Sequence, residues 1–172
     1  MIEVNVDSIR VSLMSQNRVV VLKEIDTERY LAIWIGPDTA EAITMKLQNV
    51  VVPRPMTHDL IKNVVEAMNA KVSHVVVNDL QNDVFYAQIV MDVDGRSIEI
   101  DSRPSDALAL AVRTNAKIFV NDLVMESAAI EPEIGINLDT GQAEEATPPE
   151  EGGSEDLDIF RDFVDSLDLD DL

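Results

Sequence analysis

The chain has 172 residues, with 13 lysines and arginines, 33 aspartates and glutamates, and no cysteine. This length indicates one domain, or one domain with a tail. The net charge of −20 excludes a basic nucleic-acid coat protein, because such proteins neutralise phosphates in bulk. Without cysteine, disulfide scaffolds, cysteine-ligated zinc fingers and cysteine hydrolases are excluded. No apolar run approaches the roughly 18 residues of a membrane span and no signal peptide is apparent, so we expect a cytoplasmic protein.

The acidity is concentrated toward the carboxyl end. Residues 1–130 hold 18 acidic and 12 basic residues, whereas residues 131–172 hold 15 acidic residues and one basic residue. We predict a domain over 1–130, an acidic disordered linker over 131–154 and an acidic amphipathic helix over 155–172. That helix has two open interpretations: it docks on its own domain or a dimer mate, or it binds a protein partner.

Apolar alternation in the first half predicts three strands, over 4–13, 19–24 and 29–35. The first strand has a polar interruption near Asp7. Pro37 follows the third strand and suits the first turn of a helix, because proline lacks the N–H that this position leaves unpaired. We expect that helix to continue to about Gln48.

The second half repeats this order, with strands predicted over 72–77, 84–91 and 96–101. Asp94 and Gly95 are typical of a two-residue hairpin turn, and Pro104 opens a helix through Val112. A shift of 67 residues places Pro37 on Pro104. The sequence therefore predicts two β-β-β-α repeats.

A helix predicted over 57–69 joins the repeats, with Thr57 as its N-cap. A short strand over 117–120 and a helix over 122–127, capped by Asn121, follow the second repeat. Hairpins followed by helices predict the α+β class with largely antiparallel sheets. The residues of the joining helix expected to face inward are Leu60, Ile61, Val64, Val65 and Met68.

Carboxylates are concentrated where the sixth predicted strand meets its helix. Glu99 and Asp101 share one face of the strand, roughly 6.5–7 Å apart at Cα, and Asp106 follows in the first helical turn. Three carboxylates at one junction can bind Mg²⁺ or Mn²⁺, which prefer oxygen ligands. Such an ion polarises a phosphodiester and activates water.

Three cationic or titratable residues of the sequence fit phosphodiester chemistry. Arg54 and Arg103 can hold phosphate, and His58 can act as a general acid or base oriented by Asp59 or another carboxylate.

Each candidate also has a structural interpretation. Glu99 and Asp101 can form the solvated face of a strand, and Asp106 can cap a helix. Arg103 can form a salt bridge with Asp101 or Asp59, and His58 can be a hydrogen-bonded anchor.

Four phrases carry a resemblance to a known family, and they are residues 33–37 (IWIGP), 54–60 (RPMTHDL), 84–87 (VFYA) and 98–113 (IEIDSRPSDALALAVR). In this order, and over about residues 3–130, the chain resembles a bacterial member of the bifunctional nuclease domain family. The resemblance implies an α/β roll, a homodimer, and hydrolysis of DNA and RNA. His58, Asp59, Arg103 and Asp106 lie in these phrases and become the candidates for the site.

The leading hypothesis is a metal-dependent nuclease. Its catalytic residues are His58, Asp59 and Asp106, its phosphate-binding residues are Arg54 and Arg103, and its Mg²⁺ or Mn²⁺ ligands are Glu99, Asp101 and Asp106.

Two alternatives stay open. The first is a non-enzymatic regulatory or protein-binding module whose polar cluster is structural and whose acidic tail recruits a protein. The second is a sensor of small anions or nucleotides that uses Arg103 and the helix start at Pro104.

Overall fold

The computed structural model describes residues 1–11 and 17–131. The predicted C-terminal helix, and the predicted linker except Glu131, lie outside these residues. No helix within the described ranges is long and apolar enough to cross a membrane. The strands and helices of the described part follow one another as β1 (Ile2–Val11), β2 (Arg18–Glu24), β3 (Tyr30–Ile35), α1 (Pro37–Leu47), α2 (Thr57–Ala67), β4 (Ala70–Gln81), β5 (Val84–Val93), β6 (Arg96–Ser102), α3 (Pro104–Thr114), β7 (Lys117–Val120), α4 (Asp122–Ala128) and β8 (Ala129–Ile130).

The strands form one sheet in the order β6-β5-β4-β7-β1-β2-β3-β8. Neighbouring strands are antiparallel, except that β4 and β7 are parallel. The meander β1–β3 lies on one side of β7 and the meander β4–β6 on the other. The α+β class and the two predicted β-β-β-α repeats are therefore confirmed, and β7 joins the two halves of the sheet.

Local chemistry accounts for the boundaries of the repeated elements. Both repeat helices begin at proline, Pro37 in α1 and Pro104 in α3, after an extended N-cap residue. The β5–β6 turn has Asp94 and Gly95 at φ values of 53° and 76°, which asparagine, aspartate and glycine tolerate best. The interruption expected near Asp7 is a register shift between Val6 and Ser8.

The hydrophobic core lies between the sheet and the helices α1, α3 and α4. Most of α3 is buried, and it packs on the sheet face that carries Val75, Val77 and Ala87. Burying one such Leu or Val side chain contributes roughly 1.5–3 kcal/mol. The first strand of each repeat supplies part of this core. The largest fully buried side chains are those of Leu22, Leu31, Ile43, Leu108, Leu110, Met125, Val4, Val19, Val20, Val75, Val77 and Val120.

Helix α2 differs from the prediction in both its cap and its buried face. Its N-cap is Met56, not Thr57, and the carboxylate of Asp59 accepts the Met56 N–H at 3.0 Å. Four of the five residues expected to face inward are exposed, including Leu60 at 57% and Met68 at 69%. Only the fifth, Val65, packs against the core.

The orientation of α2 has a polar cause. His58 is the buried residue of the helix, and both His58 and Asp59 hydrogen-bond to α3. Val64 is six residues after His58, which places it about 120° away around the helix. The apolar stripe therefore turns away from α3 because the polar side of α2 faces it.

The buried guanidinium of Arg113 connects the helices α1, α2 and α3. Arg113 of α3 donates from Nε to Asp59 Oδ1 of α2 at 2.7 Å and from Nη2 to the carbonyl of Ala42 in α1 at 3.0 Å. Its Nη1 donates to the carbonyl of Ala109 at 2.9 Å. The Arg113 side chain is only 3% exposed. Burial alone would raise the pKa of Asp59, but the hydrogen bonds from the Met56 N–H and from Arg113 outweigh it and lower that pKa.

We expect Arg113→Met to lower the free energy of unfolding by about 3 kcal/mol, because it leaves a partly buried carboxylate and two carbonyls without their cation. Urea denaturation measures this loss. The matched control is Lys117→Met, which removes an exposed ion pair with Glu3 at 2.7 Å and costs about 1 kcal/mol or less. Equal losses in the two variants would contradict the role assigned to Arg113.

The lowered pKa of Asp59 predicts a pH dependence of stability. Because the folded pKa lies below the unfolded value, near 3.8, the contribution of Asp59 is present above that value. It disappears as pH falls through the folded pKa. Denaturation between about pH 5 and pH 2 should therefore show a shallower loss of stability in Asp59→Asn than in the unchanged chain. Identical pH slopes would show that the carboxylate gains nothing from its partners.

Candidate functional site

Asp106 lies between a histidine and an arginine. Its Oδ1 is 3.1 Å from Nε2 of His58, and its Oδ2 accepts a hydrogen bond from Nε of Arg103 at 2.7 Å. His58 is in the first turn of α2, Asp106 is in the first turn of α3, and Arg103 is the N-cap residue of α3. We call these residues the His58–Asp106–Arg103 trio. The fold brings His58 and Asp106 together across 48 positions of sequence.

Exposure increases across the trio. The side chains of His58, Asp106 and Arg103 are 10%, 29% and 76% exposed, respectively. Burial alone would raise the pKa of Asp106, but the hydrogen bonds from Arg103 and His58 outweigh it and lower that pKa. The same contact with Asp106 raises the pKa of Arg103. The arrangement therefore holds an anionic carboxylate between a sheltered imidazole and an open guanidinium.

The charge of Asp106 determines which nitrogen of His58 carries the proton. An ionised carboxylate only accepts hydrogen bonds, so Nε2 of the neutral imidazole is its N–H and donates to Asp106. The other ring nitrogen, Nδ1, is then the basic atom. Many hydrolases use a nucleophile, a histidine base and a carboxylate that orients the histidine, and this pair matches the last two of these groups.

The contacts of the trio correct two sequence interpretations and decide between the alternatives of a third. Asp106 does not cap α3, since α3 has no side-chain cap and both Asp106 oxygens are bound to His58 and Arg103. The salt-bridge partner of Arg103 is Asp106, not Asp101 or Asp59. The carboxylate that orients His58 is likewise Asp106, because Asp59 is bound to Arg113 and to the Met56 N–H.

Glu99 and Asp101 lie apart from the trio. They are exposed residues of the edge strand β6, opposite Val90 and Gln88 of β5. Their neighbours in β6, Ile98 and Ile100, pair with Met91 and Ile89, which pack against the same core as α3. Strand alternation therefore directs Glu99 and Asp101 to the other face of the sheet.

The predicted metal site of Glu99, Asp101 and Asp106 is not assembled within the described part of the chain. In residues 1–11 and 17–131, no group of three or more histidine, aspartate or glutamate residues is placed to hold a metal ion. The metal ligands stay a prediction from sequence.

Arg54 lies in the segment between α1 and α2, away from the hydrogen bonds of the trio. It lines a cleft of about 330 Å³ together with Lys46, Asp59 and Arg113. Sequence reasoning missed Lys46 and Arg113. The available signal for Arg113 was a lone cation at the end of an otherwise apolar helical run, residues 107–112.

Comparisons with known proteins agree with the motif phrases. The family model of the bifunctional nuclease domain matches residues 20–133. An uncharacterized protein of Mycobacterium tuberculosis is 37% identical over 170 residues, which cover 99% of this chain and 97% of the relative.

Plant proteins named as bifunctional nucleases are more distant. Bifunctional nuclease 1 of Oryza sativa subsp. indica is 29% identical over 106 residues, which are 59% of this chain and 32% of the plant protein. Bifunctional nuclease 2 of Arabidopsis thaliana is 28% identical over 109 residues, which are 62% of this chain and 32% of that protein. The matched segment is thus about a third of each plant protein. By the span of the family match and the near full-length bacterial relative, this chain belongs to the bifunctional nuclease domain family.

Proposed function

We propose that the chain is a nuclease that hydrolyses phosphodiester bonds of DNA, RNA or both. The observation that carries the proposal is the His58–Asp106–Arg103 trio, which combines an oriented base with an exposed phosphate-binding group. Membership of the bifunctional nuclease domain family and the names of the plant relatives support the substrate class. Phosphodiester hydrolysis needs a group that moves a proton and a group that holds the phosphate, and the trio offers both.

Each residue of the trio has a defined task in this proposal. Nδ1 of His58 removes a proton from the attacking water, and Asp106 holds the ring and stabilises the imidazolium that forms. The water oxygen bonds to phosphorus as the bond from phosphorus to the leaving oxygen breaks, and the leaving oxygen takes a proton from solvent. Arg103 uses Nε for Asp106, while its Nη atoms make no hydrogen bond within the described ranges. Those atoms project from a side chain that is mostly exposed, and they can bind a phosphate oxygen.

We also propose dependence on Mg²⁺ or Mn²⁺, for which the sequence alone predicts Glu99, Asp101 and Asp106 as ligands. Such an ion would polarise the phosphodiester and activate water. Because Glu99 and Asp101 lie on the sheet face opposite α3, these two side chains and Asp106 do not fit one shared ion as they are placed. Assays with Mg²⁺, Mn²⁺ and EDTA test the dependence directly.

We expect His58→Ala and Asp106→Asn each to lower the rate of cleavage of single-stranded DNA and RNA by about 10²- to 10⁴-fold, the usual contribution of general acid–base catalysis. Release of labelled fragments from oligonucleotides measures the rate. The matched control is His74→Ala, which removes the other histidine of the chain, in β4, and should leave the rate unchanged.

Residual cleavage that is the same in the unchanged chain and in both trio variants would reveal a contaminating nuclease. That result would end the catalytic proposal.

A binding module is the second candidate function. Both oxygens of Asp106 are satisfied inside the chain and His58 is nearly buried, which suits a structural link between α2 and α3. In that case Asp106→Asn would lower the free energy of unfolding and the unchanged chain would cleave neither DNA nor RNA.

The acidic segment proposed to recruit a protein partner lies outside the described residues. The cytoplasmic location stays a proposal as well.

We further propose a homodimer, supported by the apolar stripe that α2 exposes. Leu60, Val64 and Met68 are 57%, 48% and 69% exposed and recur at helical spacing. A stripe of this kind is typical of an interaction surface, because monomeric proteins rarely expose contiguous apolar patches.

Light scattering after size exclusion tests this proposal. We expect a dimer for the unchanged chain and a monomer for Val64→Glu, because a buried carboxylate opposes association. Val84→Glu is the matched control, since Val84 is similarly exposed but lies at the start of β5. A monomeric unchanged chain, or two variants with the same mass, would refute an interface at α2.

A further inference from the structure

The cleft that contains Arg54 lies beside the first two turns of α2 and has a volume of about 330 Å³. This volume is within the usual range of small-molecule sites. Its walls come from the end of α1, the connecting segment over 50–56, α2 and the end of α3. The apolar part of the wall includes Met45, Val50, Val52 and Met56.

The cleft carries an excess of positive charge. Its cations are Lys46, Arg54 and Arg113, and Asp59 is the acidic residue that lines it. Arg113 is bound to Asp59 and to two carbonyls, so these two residues neutralise each other. Lys46 also lies near enough to Asp59 to help lower the pKa of that carboxyl, so three cations face one carboxylate and the cleft keeps an excess of two positive charges.

Six of the ten other lysines and arginines in the described residues form ion pairs. Arg29, Arg103, Arg113, Lys23, Lys62 and Lys117 all form ion pairs with carboxylates. The side chains of Lys46 and Arg54 form no ion pair and no hydrogen bond in residues 1–11 and 17–131. In a chain with a net charge of −20, two available cations in one cleft are a specific arrangement rather than a general basic surface.

The position of Arg54 is restrained by its neighbours. It lies between Pro53 and Pro55, whose rings fix their own φ angles. A residue before proline is also restricted to extended conformations, which limits Arg54 itself. The backbone that presents this guanidinium therefore loses little further entropy when a ligand binds.

The cleft and the trio lie along the same helix. Asp106 and Arg113 are seven residues apart in α3, a separation of about 10 Å at 1.5 Å per residue. Phosphates of one strand lie about 3.4 Å apart along the axis of a double helix, so this separation corresponds to about three phosphates. One strand can therefore contact both places.

We propose that this cleft is a second phosphate subsite that binds a nucleotidyl phosphate a few nucleotides from the trio. Lys46 and Arg54 bind the phosphate oxygens, Asn63 offers an amide, and the apolar wall receives the base. The inference rests on the proposed nuclease function for the identity of the ligand. A free nucleotide and a nucleic-acid strand share this chemistry, and the experiment separates them.

Fluorescence anisotropy of a short labelled single-stranded oligonucleotide, in EDTA, tests the subsite without cleavage. We expect Lys46→Gln and Arg54→Gln each to raise the Kd about tenfold and to reduce the salt dependence by about one phosphate contact. The matched control is Lys71→Gln, which removes the same charge from an exposed lysine of β4 and keeps the Kd within about twofold. Thermal melting confirms that all three variants fold.

Competition identifies the source of the phosphate. Displacement of the probe by adenosine monophosphate, but not by inorganic phosphate, assigns a free nucleotide to the cleft. Resistance to both assigns a strand. An equal rise of Kd in Arg54→Gln and Lys71→Gln, or no rise in either cleft variant, overturns the subsite.

The outcomes for the cleft and for the trio are independent. His58→Ala should bind the probe like the unchanged chain while cleaving it more slowly. If the unchanged chain cleaves nothing and the cleft variants still bind weakly, the nuclease proposal fails and the subsite stands. If cleavage depends on the trio and the cleft variants bind normally, only the subsite fails.

Discussion

The buried guanidinium of Arg113 is the interaction on which the helical layer depends. A cation removed from water is tolerated only when a counter-charge and acceptors surround it, and here α1, α2 and α3 supply them. Asp59 is thereby tied to the end of α3, and the adjacent His58 is directed toward its beginning. The ion pair between Arg113 and Asp59 thus also fixes the position of His58 in the candidate site. The same pair lines the cleft.

The sequence predicts those features of the fold that have local causes. Proline at the first helical position, the Asp94–Gly95 turn and the interruption at Asp7 each act within a few residues, and all three are found. The orientation of α2 has a non-local cause. An amphipathic pattern predicts which residues share a face, but the contacts of His58 and Asp59 with α3 decide which face turns inward.

The candidate site likewise has features that the sequence predicts and features that depend on non-local packing. The motif phrases supply His58, Asp106 and Arg103, but sequence does not show that Asp106 rather than Asp59 orients the histidine. Both carboxylates lie in the first turn of a helix, and only the packing of α2 on α3 distinguishes them. Alternation places Glu99 and Asp101 on one face of a strand, yet it does not show on which side of the sheet α3 packs. The sequence does not single out Arg113, because a basic residue in the last turn of a helix is common.

The central position of β7 has a consequence for how the chain folds during synthesis on the ribosome. Residues 117–120 emerge after both meanders have been synthesised, and β1 and β4 each pair with them. Until then the nascent chain contains only the meanders β1–β3 and β4–β6. Each has an edge strand whose backbone N–H and C=O groups are unpaired and can pair with another chain. Closure brings residues 2–4 against residues 118–120, a distant contact that slows folding. Translation that stops before this strand would leave an aggregation-prone product.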